Sequence, residues 1–171
     1  RGPQHRLVGI AIEGTSYFDS ETLRSRLRIQ PAAFASPGRF STALLDADVA
    51  SLRALYQANG FLDVQATSDL SANYGGKADD IFVRFQIAEG RQTLVGDLKL
   101  DGNSTLSNDD LMSVIGSTPG QPFSDFNVTA DRDNVLALYY DRGFPEARLT
   151  AAASPSPPAA GEAEPRITLL Y

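Results

Sequence analysis

Apolar and polar residues alternate along two short segments of the chain, Arg6–Glu13 and Leu94–Asp101. A period of two residues is typical of a strand with one buried face, so each segment is predicted to be a strand. Four further strands are predicted, one pair after each long helix. These are Leu62–Leu70, Ile81–Ile87, Glu146–Ala153 and Pro165–Tyr171.

Two long helices are predicted between the strands, over residues 41–59 and 124–142. The apolar residues of the first are four, three and four positions apart, which places them on one helix face. They are Leu45, Val49, Leu52 and Tyr56. The serine that begins each range can accept backbone N–H bonds. Gly60 and Gly143 follow the last turns, where a positive φ favours glycine.

The same order of segments occurs twice. The sequence beginning FSTALLDADV at Phe40 aligns without a gap with FSDFNVTADR at Phe123, an offset of 83 residues. Upstream, the segment from Leu7 resembles the segment from Val95 at an offset of 88, so the first copy has a five-residue insertion around IQPAAFASPG. Such self-similarity indicates a repeated structural unit. We therefore predict two domains, 1–90 and 91–171.

Each copy is predicted to be a β-α-α-β-β unit of the α+β class. A shorter helix precedes each long one, near Asp19–Ile29 and Ser107–Ile115, and Ser107 with Asp110 resembles a capping box. The last two strands form a hairpin, and the low-complexity stretch SPSPPAAGEAEP is predicted to be the loop of the second one. The first strand joins through a two-helix crossover, which favours a parallel partner. The prediction is a three-stranded mixed sheet with the third strand central and two helices covering one face.

Composition excludes several classes of function. The net charge of −6 argues against a nucleic-acid surface, which needs clustered positive charge. Cysteine is absent, so the chain has no disulfide framework. His5 is the only histidine, so the chain lacks the four Cys or His ligands of a structural zinc site. A catalytic Ser/His/Asp triad cannot be assembled either. We predict no enzymatic activity and no cofactor. The start at Arg1 and the stop at Tyr171 suggest a piece of a longer protein.

Charged clusters are interpreted as solvated helix faces. The pairs Asp46/Asp48 and Asp131/Asp133 are two residues apart on helices, so their carboxylates do not face each other and do not share a proton or a metal. The basic cluster in the first short helix is interpreted in the same way, because Asp19 and Glu21 are its neighbours, and contact with an acidic partner or headgroup is the alternative. The cluster consists of Arg24, Arg26 and Arg28.

The recurring phrases resemble those of POTRA domains, the polypeptide-transport-associated modules that precede the outer-membrane β-barrel in the BamA and TamA family. The phrase L-x₂-LY-x₃-GF spans Leu52–Phe61, and V-x₂-LY-x₃-GF spans Val135–Phe144. Similar phrases are G-x₃-F at Gly14–Phe18 and V-x-F-x-I-x-EG at Val83–Gly90. A GN dipeptide also follows the first strand of the second copy.

This resemblance implies periplasmic modules that help assemble outer-membrane β-barrel proteins. The expected partners are unfolded outer-membrane proteins and periplasmic accessory proteins or lipoproteins, bound in part by adding a strand to a sheet edge. The parent is expected to carry a C-terminal outer-membrane β-barrel, and the fragment to be monomeric. An alternative is a structural spacer or hinge in a two-partner-secretion or other translocation transporter.

The edge expected to bind partners is the second strand of each copy. The candidate residues are Leu62, Asp63, Val64, Gln65, Ala66 and Thr67 in the first copy and Ala147, Arg148, Leu149 and Thr150 in the second. An alternative is that polar residues simply protect these edges against accidental pairing. A hinge between the domains is expected at Glu89, Gly90 and Arg91.

Overall fold

The computed structural model describes residues 5–34, 36–157, 161 and 163–171. They form two compact units. The first contains the described residues up to Tyr56 together with Asp63–Gly90, and the second contains Gln57–Leu62 and Arg91–Tyr171. The division at Gly90 stays a prediction, because the segment Gln57–Leu62 groups with the second unit.

The first unit follows the predicted β-α-α-β-β order. Its elements are β1 (Arg6–Glu13), α1 (Ser20–Ser25), α2 (Thr42–Ala58), β2 (Gln65–Ala72) and β3 (Asp80–Ala88). The sheet order is β1-β3-β2, with β1 parallel and β2 antiparallel to β3, so the predicted mixed sheet with a central third strand is confirmed. The alternate residues Ile81, Val83, Phe85 and Ile87 of β3 are buried, and Leu45, Leu52 and Tyr56 of α2 complete the core.

The second unit repeats this arrangement with shorter elements. They are β4 (Leu94–Lys99), α3 (Asn108–Met112), α4 (Asp125–Asp141), β5 (Ala152–Ser156) and β6 (Arg166–Leu170). The sheet order is β4-β6-β5, again with one parallel and one antiparallel pair. Val95, Leu111, Phe123, Val135 and Leu169 are among the residues of its core.

The long helices end as predicted, but both short helices end early, α1 at Ser25 instead of Ile29 and α3 at Met112 instead of Ile115. Arg28 and Ile29 leave the helix because their N–H groups bond to the Asp48 carboxylate.

Ser41 Oγ accepts from Leu44 N at 3.1 Å, whereas the Ser124 hydroxyl, which is buried, makes no capping bond. Ser107 caps α3 as predicted, accepting from Asp110 N at 3.1 Å. Gly60 and Gly143 have φ of +88° and +89°, so glycine ends both long helices as expected.

The second strand of each copy begins later than predicted. In the first copy the predicted residues Leu62, Asp63 and Val64 precede β2, because β3 ends at Ala88 and Ala88 already pairs with Gln65. Leu62 and Asp63 instead form a turn, and Val64 is buried.

The difference is larger in the second copy, where β5 covers 152–156 instead of Glu146–Ala153. Pairing with β6 begins at Ala152, which lies opposite Leu170. Ala147, Arg148, Leu149 and Thr150 precede β5 and are irregular, so the prediction that they belong to the strand is wrong. Ser154–Ser156, predicted as loop, belong to the strand, and residues 158–160 and 162 of that loop lie outside the described residues.

Candidate partner-binding edges

The outer edge of the first strand is partly covered in both units. In the first unit Leu7 O accepts from Ala32 N at 2.8 Å, and Ile10 O accepts from the Arg24 guanidinium at 3.1 Å. In the second unit Val95 exchanges backbone bonds with the segment before α4, donating to Gln121 O at 2.8 Å and accepting from Gly120 N at 2.7 Å. These particular backbone groups are satisfied internally and are not available to a partner.

The opposite edge, formed by β2, is open. Arg6 N donates to Asp79 O at 2.8 Å, so the backbone groups of Asp79 point toward β1. The direction alternates along a strand, and therefore odd-numbered residues of β3 face β1 and even-numbered residues face β2. With the observed register, the backbone groups of Ala66, Ser68 and Leu70 then point away from the sheet. Within the described ranges no backbone group is bonded to this edge of β2. It therefore presents unpaired N–H and C=O groups, the property that strand addition requires.

The side chain of Arg53 reaches this open edge. The Arg53 guanidinium of α2 lies 3.4 Å from Ala66 O, a long and weak hydrogen bond. Of the candidate residues, Ala66 is buried and contributes only its backbone, whereas Gln65 and Thr67 are exposed. Leu70, which was not a candidate, is 39% exposed and belongs to the same edge.

The corresponding edge of β5 offers less backbone. Leu94 N donates to Pro165 O at 2.9 Å, so the same alternation leaves only Ala153 and Pro155 with outward backbone groups. Proline has no N–H, and proline on an edge strand blocks pairing with a further strand. A single outward N–H, that of Ala153, is available on β5.

The irregular candidate residues of the second copy line a cavity instead. It measures about 490 Å³ and lies between α4 and residues 147–152. Val135 and Tyr139 of α4 and Tyr171 contribute to its wall, together with Ala147, Arg148, Leu149 and Thr150. Thus the structure brings these four predicted residues together, although not as a strand.

Glu89, predicted as part of a hinge, is held within the first unit. Its Oε1 accepts from Ser16 N at 2.7 Å, Tyr17 N at 2.9 Å and the Tyr56 hydroxyl at 2.8 Å. Burial alone would raise the pKa of Glu89, but these hydrogen bonds to the carboxylate together lower it below its usual value. Burial, followed by the hydrogen bond to Glu89 and its negative charge, raises the pKa of Tyr56. The hinge itself stays a prediction. Of its three predicted residues, Glu89 is the one held by these hydrogen bonds to the first unit.

Two buried carboxylates were missed by the sequence interpretation. Asp48 is 0% exposed and Asp131 is 2% exposed, so the expectation that both belong to solvated helix faces is wrong. Asp48 accepts from Arg28 N at 2.9 Å and Ile29 N at 2.9 Å, and Asp131 accepts from Gly116 N at 2.6 Å. Each carboxylate thereby ties the segment after the short helix to the long helix.

The second carboxylate has two further partners. Asp131 also accepts from Ser117 N at 3.2 Å and from the Tyr171 hydroxyl at 2.8 Å. Burial and then the hydrogen bond to Asp131 raise the pKa of Tyr171. A sequence signal was available, since Asp48 and Asp131 occupy the same repeat position whereas Asp46 aligns with Thr129.

Comparison with known proteins agrees with the two-unit architecture. The family described as "POTRA: Surface antigen variable number repeat" matches residues 6–90 and 93–170. The chain belongs to the POTRA family. It is 24% identical over 168 residues to the "Putative outer membrane protein assembly factor" of Treponema pallidum, covering 95% of this chain and 19% of that protein. The chain thus spans about a fifth of this relative's length.

Solved POTRA structures have the same fold. The BamA POTRA3–5 fragment of Haemophilus influenzae matches with a TM-score of 0.61 at 22% identity, covering 97% of this chain and 65% of the other. Haemophilus ducreyi BamA lacking POTRA domains 1–3 matches with a TM-score of 0.56 at 17% identity, covering 98% and 28%.

Neither metal binding nor a membrane-spanning helix is indicated in the described ranges. There, no three His, Asp or Glu side chains are grouped as a metal ion would require. Each helix in the same ranges is too short or too polar to cross a bilayer.

Proposed function

We propose that this POTRA pair belongs to an outer-membrane protein assembly factor and acts in the periplasm. The name of the Treponema pallidum relative and the resemblance of the motifs support this assignment. The proposed partners are unfolded outer-membrane proteins and periplasmic accessory proteins, and the parent chain would carry the outer-membrane barrel.

The first unit receives an unfolded segment by strand addition at β2. The observation that carries this proposal is the open edge over Gln65–Ala72, with outward backbone groups at Ala66, Ser68 and Leu70. Main-chain hydrogen bonds are indifferent to side-chain sequence, which suits a receptor of many barrel proteins. Each added bond contributes about 0.5–1.5 kcal/mol net, so a few bonds give weak, reversible binding.

The β5 edge of the second unit is a poor acceptor in comparison. It is five residues long, and Pro155 removes one of its two outward donors. We therefore assign strand addition to β2 rather than to both edges.

A titration of the ¹⁵N-labelled chain with an unfolded outer-membrane barrel strand tests the proposal. We expect amide shifts concentrated in Gln65–Ala72, and few in β5, which serves as an internal comparison. Ser68→Pro removes an outward N–H that makes no bond to β3, so it should abolish binding while the fold persists. Ser68→Ala is the matched control and should bind normally.

The proposal fails if Ser68→Pro and Ser68→Ala bind the peptide equally. It also fails if no amide in either unit responds. The spacer function would then be the better account, since a spacer needs no peptide-binding edge.

A further inference from the structure

The five-residue insertion of the first copy forms a small hairpin that the second copy lacks. Gln30 and Arg39 exchange two backbone hydrogen bonds of 2.8 Å, and Ala33 and Ser36 exchange two of 2.9 and 3.1 Å. We call residues 30–34 and 36–39 the insertion hairpin. Ala32 N joins it to the outer edge of β1 through Leu7 O. The hairpin therefore lies at the edge of the sheet opposite β2.

The insertion hairpin exposes a phenylalanine completely. Phe34 has the highest relative exposure of the large apolar side chains in the described ranges, and Phe40, at the hairpin's end, is half-buried. Burial of an aromatic ring is strongly favourable, and aromatic anchors dominate the binding energy of many interfaces. The insertion thus adds an aromatic side chain that contributes nothing to the core of its own unit.

A cavity lies beside the hairpin and has basic walls. Its volume is about 1080 Å³, and its described lining includes His5, Arg6, Leu7, Arg39 and Phe40. The ionisable residues among the described lining residues are His5, Arg6 and Arg39, with no carboxylate. Neither arginine has a salt bridge within the described ranges.

Two more exposed arginines precede the hairpin. Arg26 and Arg28 lie four and two residues before Gln30, and neither has a salt bridge to a described carboxylate. Arg26 and Arg28 are not part of the cavity lining, which holds Arg6 and Arg39 although the chain as a whole has a net charge of −6. Unpaired cations around a concave surface attract a partner of opposite charge.

We propose that the insertion hairpin and its cavity form a second docking site, for an acidic, extended polypeptide segment of a partner protein. Carboxylates of the segment pair with Arg6 and Arg39, and Phe34 covers one of its apolar side chains. The concave shape favours a polypeptide chain over a bilayer, whose flat surface does not enter a cavity. Because β1 and β2 are opposite edges of one sheet, the first unit can hold this partner and an added strand at the same time.

The test uses the full chain and a fluorescent ten-residue peptide that alternates glutamate and leucine. We expect binding, with amide shifts in residues 5–7 and 30–40, and weaker binding when salt is raised from about 50 to about 300 mM. Phe34→Ala and Arg39→Glu should each weaken binding about tenfold or more. Both preserve the hairpin, because Phe34 is fully exposed and Arg39 holds the hairpin through its backbone.

Matched controls are Phe126→Ala, which removes a 77%-exposed phenylalanine of the second unit, and Lys77→Glu, which reverses an exposed charge of the first. Both should leave affinity within about twofold of the unmodified chain. A peptide with lysine in place of glutamate should not bind.

Several results would overturn the docking site. The first is that the acidic peptide does not bind at about 1 mM. The second is that Phe126→Ala and Lys77→Glu lose as much affinity as Phe34→Ala and Arg39→Glu. The third is that the chain binds phosphatidylglycerol vesicles but not the peptide. Shifts confined to Gln65–Ala72 would also overturn it, but would support strand addition at β2, so the two proposals are tested separately.

Discussion

Removing the Asp48 carboxylate should destabilise the first unit strongly, because this side chain is buried and accepts two backbone hydrogen bonds. In Asp48→Ala the N–H groups of Arg28 and Ile29 lose their acceptor in a site where Asp48 is 0% exposed. Hydrogen bonds to a charged group contribute roughly 1.5–3 kcal/mol each, and part of this is offset because a buried carboxylate no longer has to be desolvated. We expect a loss of about 3 kcal/mol. The loss of the side-chain volume adds to it.

The matched control lies two residues away. Asp46→Ala removes an exposed carboxylate from the same helix and should cost less than about 0.5 kcal/mol. Asp48→Asn keeps one acceptor oxygen and should lie between the two alanine variants.

Urea denaturation followed by circular dichroism measures the loss. With an m-value of about 1–2 kcal/mol/M for a unit of this size, 3 kcal/mol lowers the midpoint by about 1.5–3 M. Hydrogen exchange read by mass spectrometry assigns the effect to the first unit, since protection of Arg28 and Ile29 should fall. Equal midpoints for Asp48→Ala and Asp46→Ala would refute the reasoning, because the carboxylate would then not be needed to satisfy the buried amides.

Three further predictions concern the first unit and its repeat partner. Gly14 and Gly102 have similar positive φ, +82° and +79°, but an alanine Cβ at position 14 would clash with a backbone carbonyl of β3, whereas one at position 102 meets no atom within 4 Å. Thermal unfolding should therefore show a much larger drop in melting temperature for Gly14→Ala than for Gly102→Ala. Equal drops would contradict the clash. Tyr56→Phe removes the hydrogen bond to Glu89 and should cost about 1–3 kcal/mol in urea, whereas Tyr139→Phe should cost little because no hydrogen bond from that hydroxyl is found in the described ranges. The pKa of Glu89 is lower in the folded state than in the unfolded state, so the Glu89 carboxylate stabilises the fold fully above pH 4.5. This stabilisation is lost as the pH falls through the lower pKa of the folded state. If the unfolding midpoint of Glu89→Gln depended on acid pH in the same way as that of the unmodified chain, this prediction would be contradicted.

The order of elements follows from local patterns in the sequence. Alternation over Arg6–Glu13 predicts β1 with its observed ends, and the spacing of Leu45, Leu52 and Tyr56 predicts the buried face of α2. These predictions succeed because a strand or helix with one buried face carries its own period. The sheet order then follows from the crossover connection.

Strand ends and buried polar groups depend on partners that a local pattern does not contain. Ala147–Thr150 resemble strand residues in their own sequence, and only the observed pairing of β5 with β6, which begins at Ala152, separates them from the strand. Asp48 resembles Asp46 locally, and only the amides of Arg28 and Ile29, about 20 residues away, distinguish its environment. The sequence predicts that β2 is an edge strand, but which of its backbone groups point outward follows only from the register.

Residue-resolved hydrogen exchange on the chain with and without an unfolded barrel strand tests strand addition most directly. In the free chain we predict rapid exchange at Ser68 and Leu70, whose amides point outward, and slow exchange at Thr67 and Asp69, which bond to β3. Adding the barrel strand should slow Ser68 and Leu70 selectively and leave Ala153 of β5 unchanged. If Ser68 and Leu70 exchange at the same rate with and without the barrel strand, β2 does not receive it and the account is contradicted.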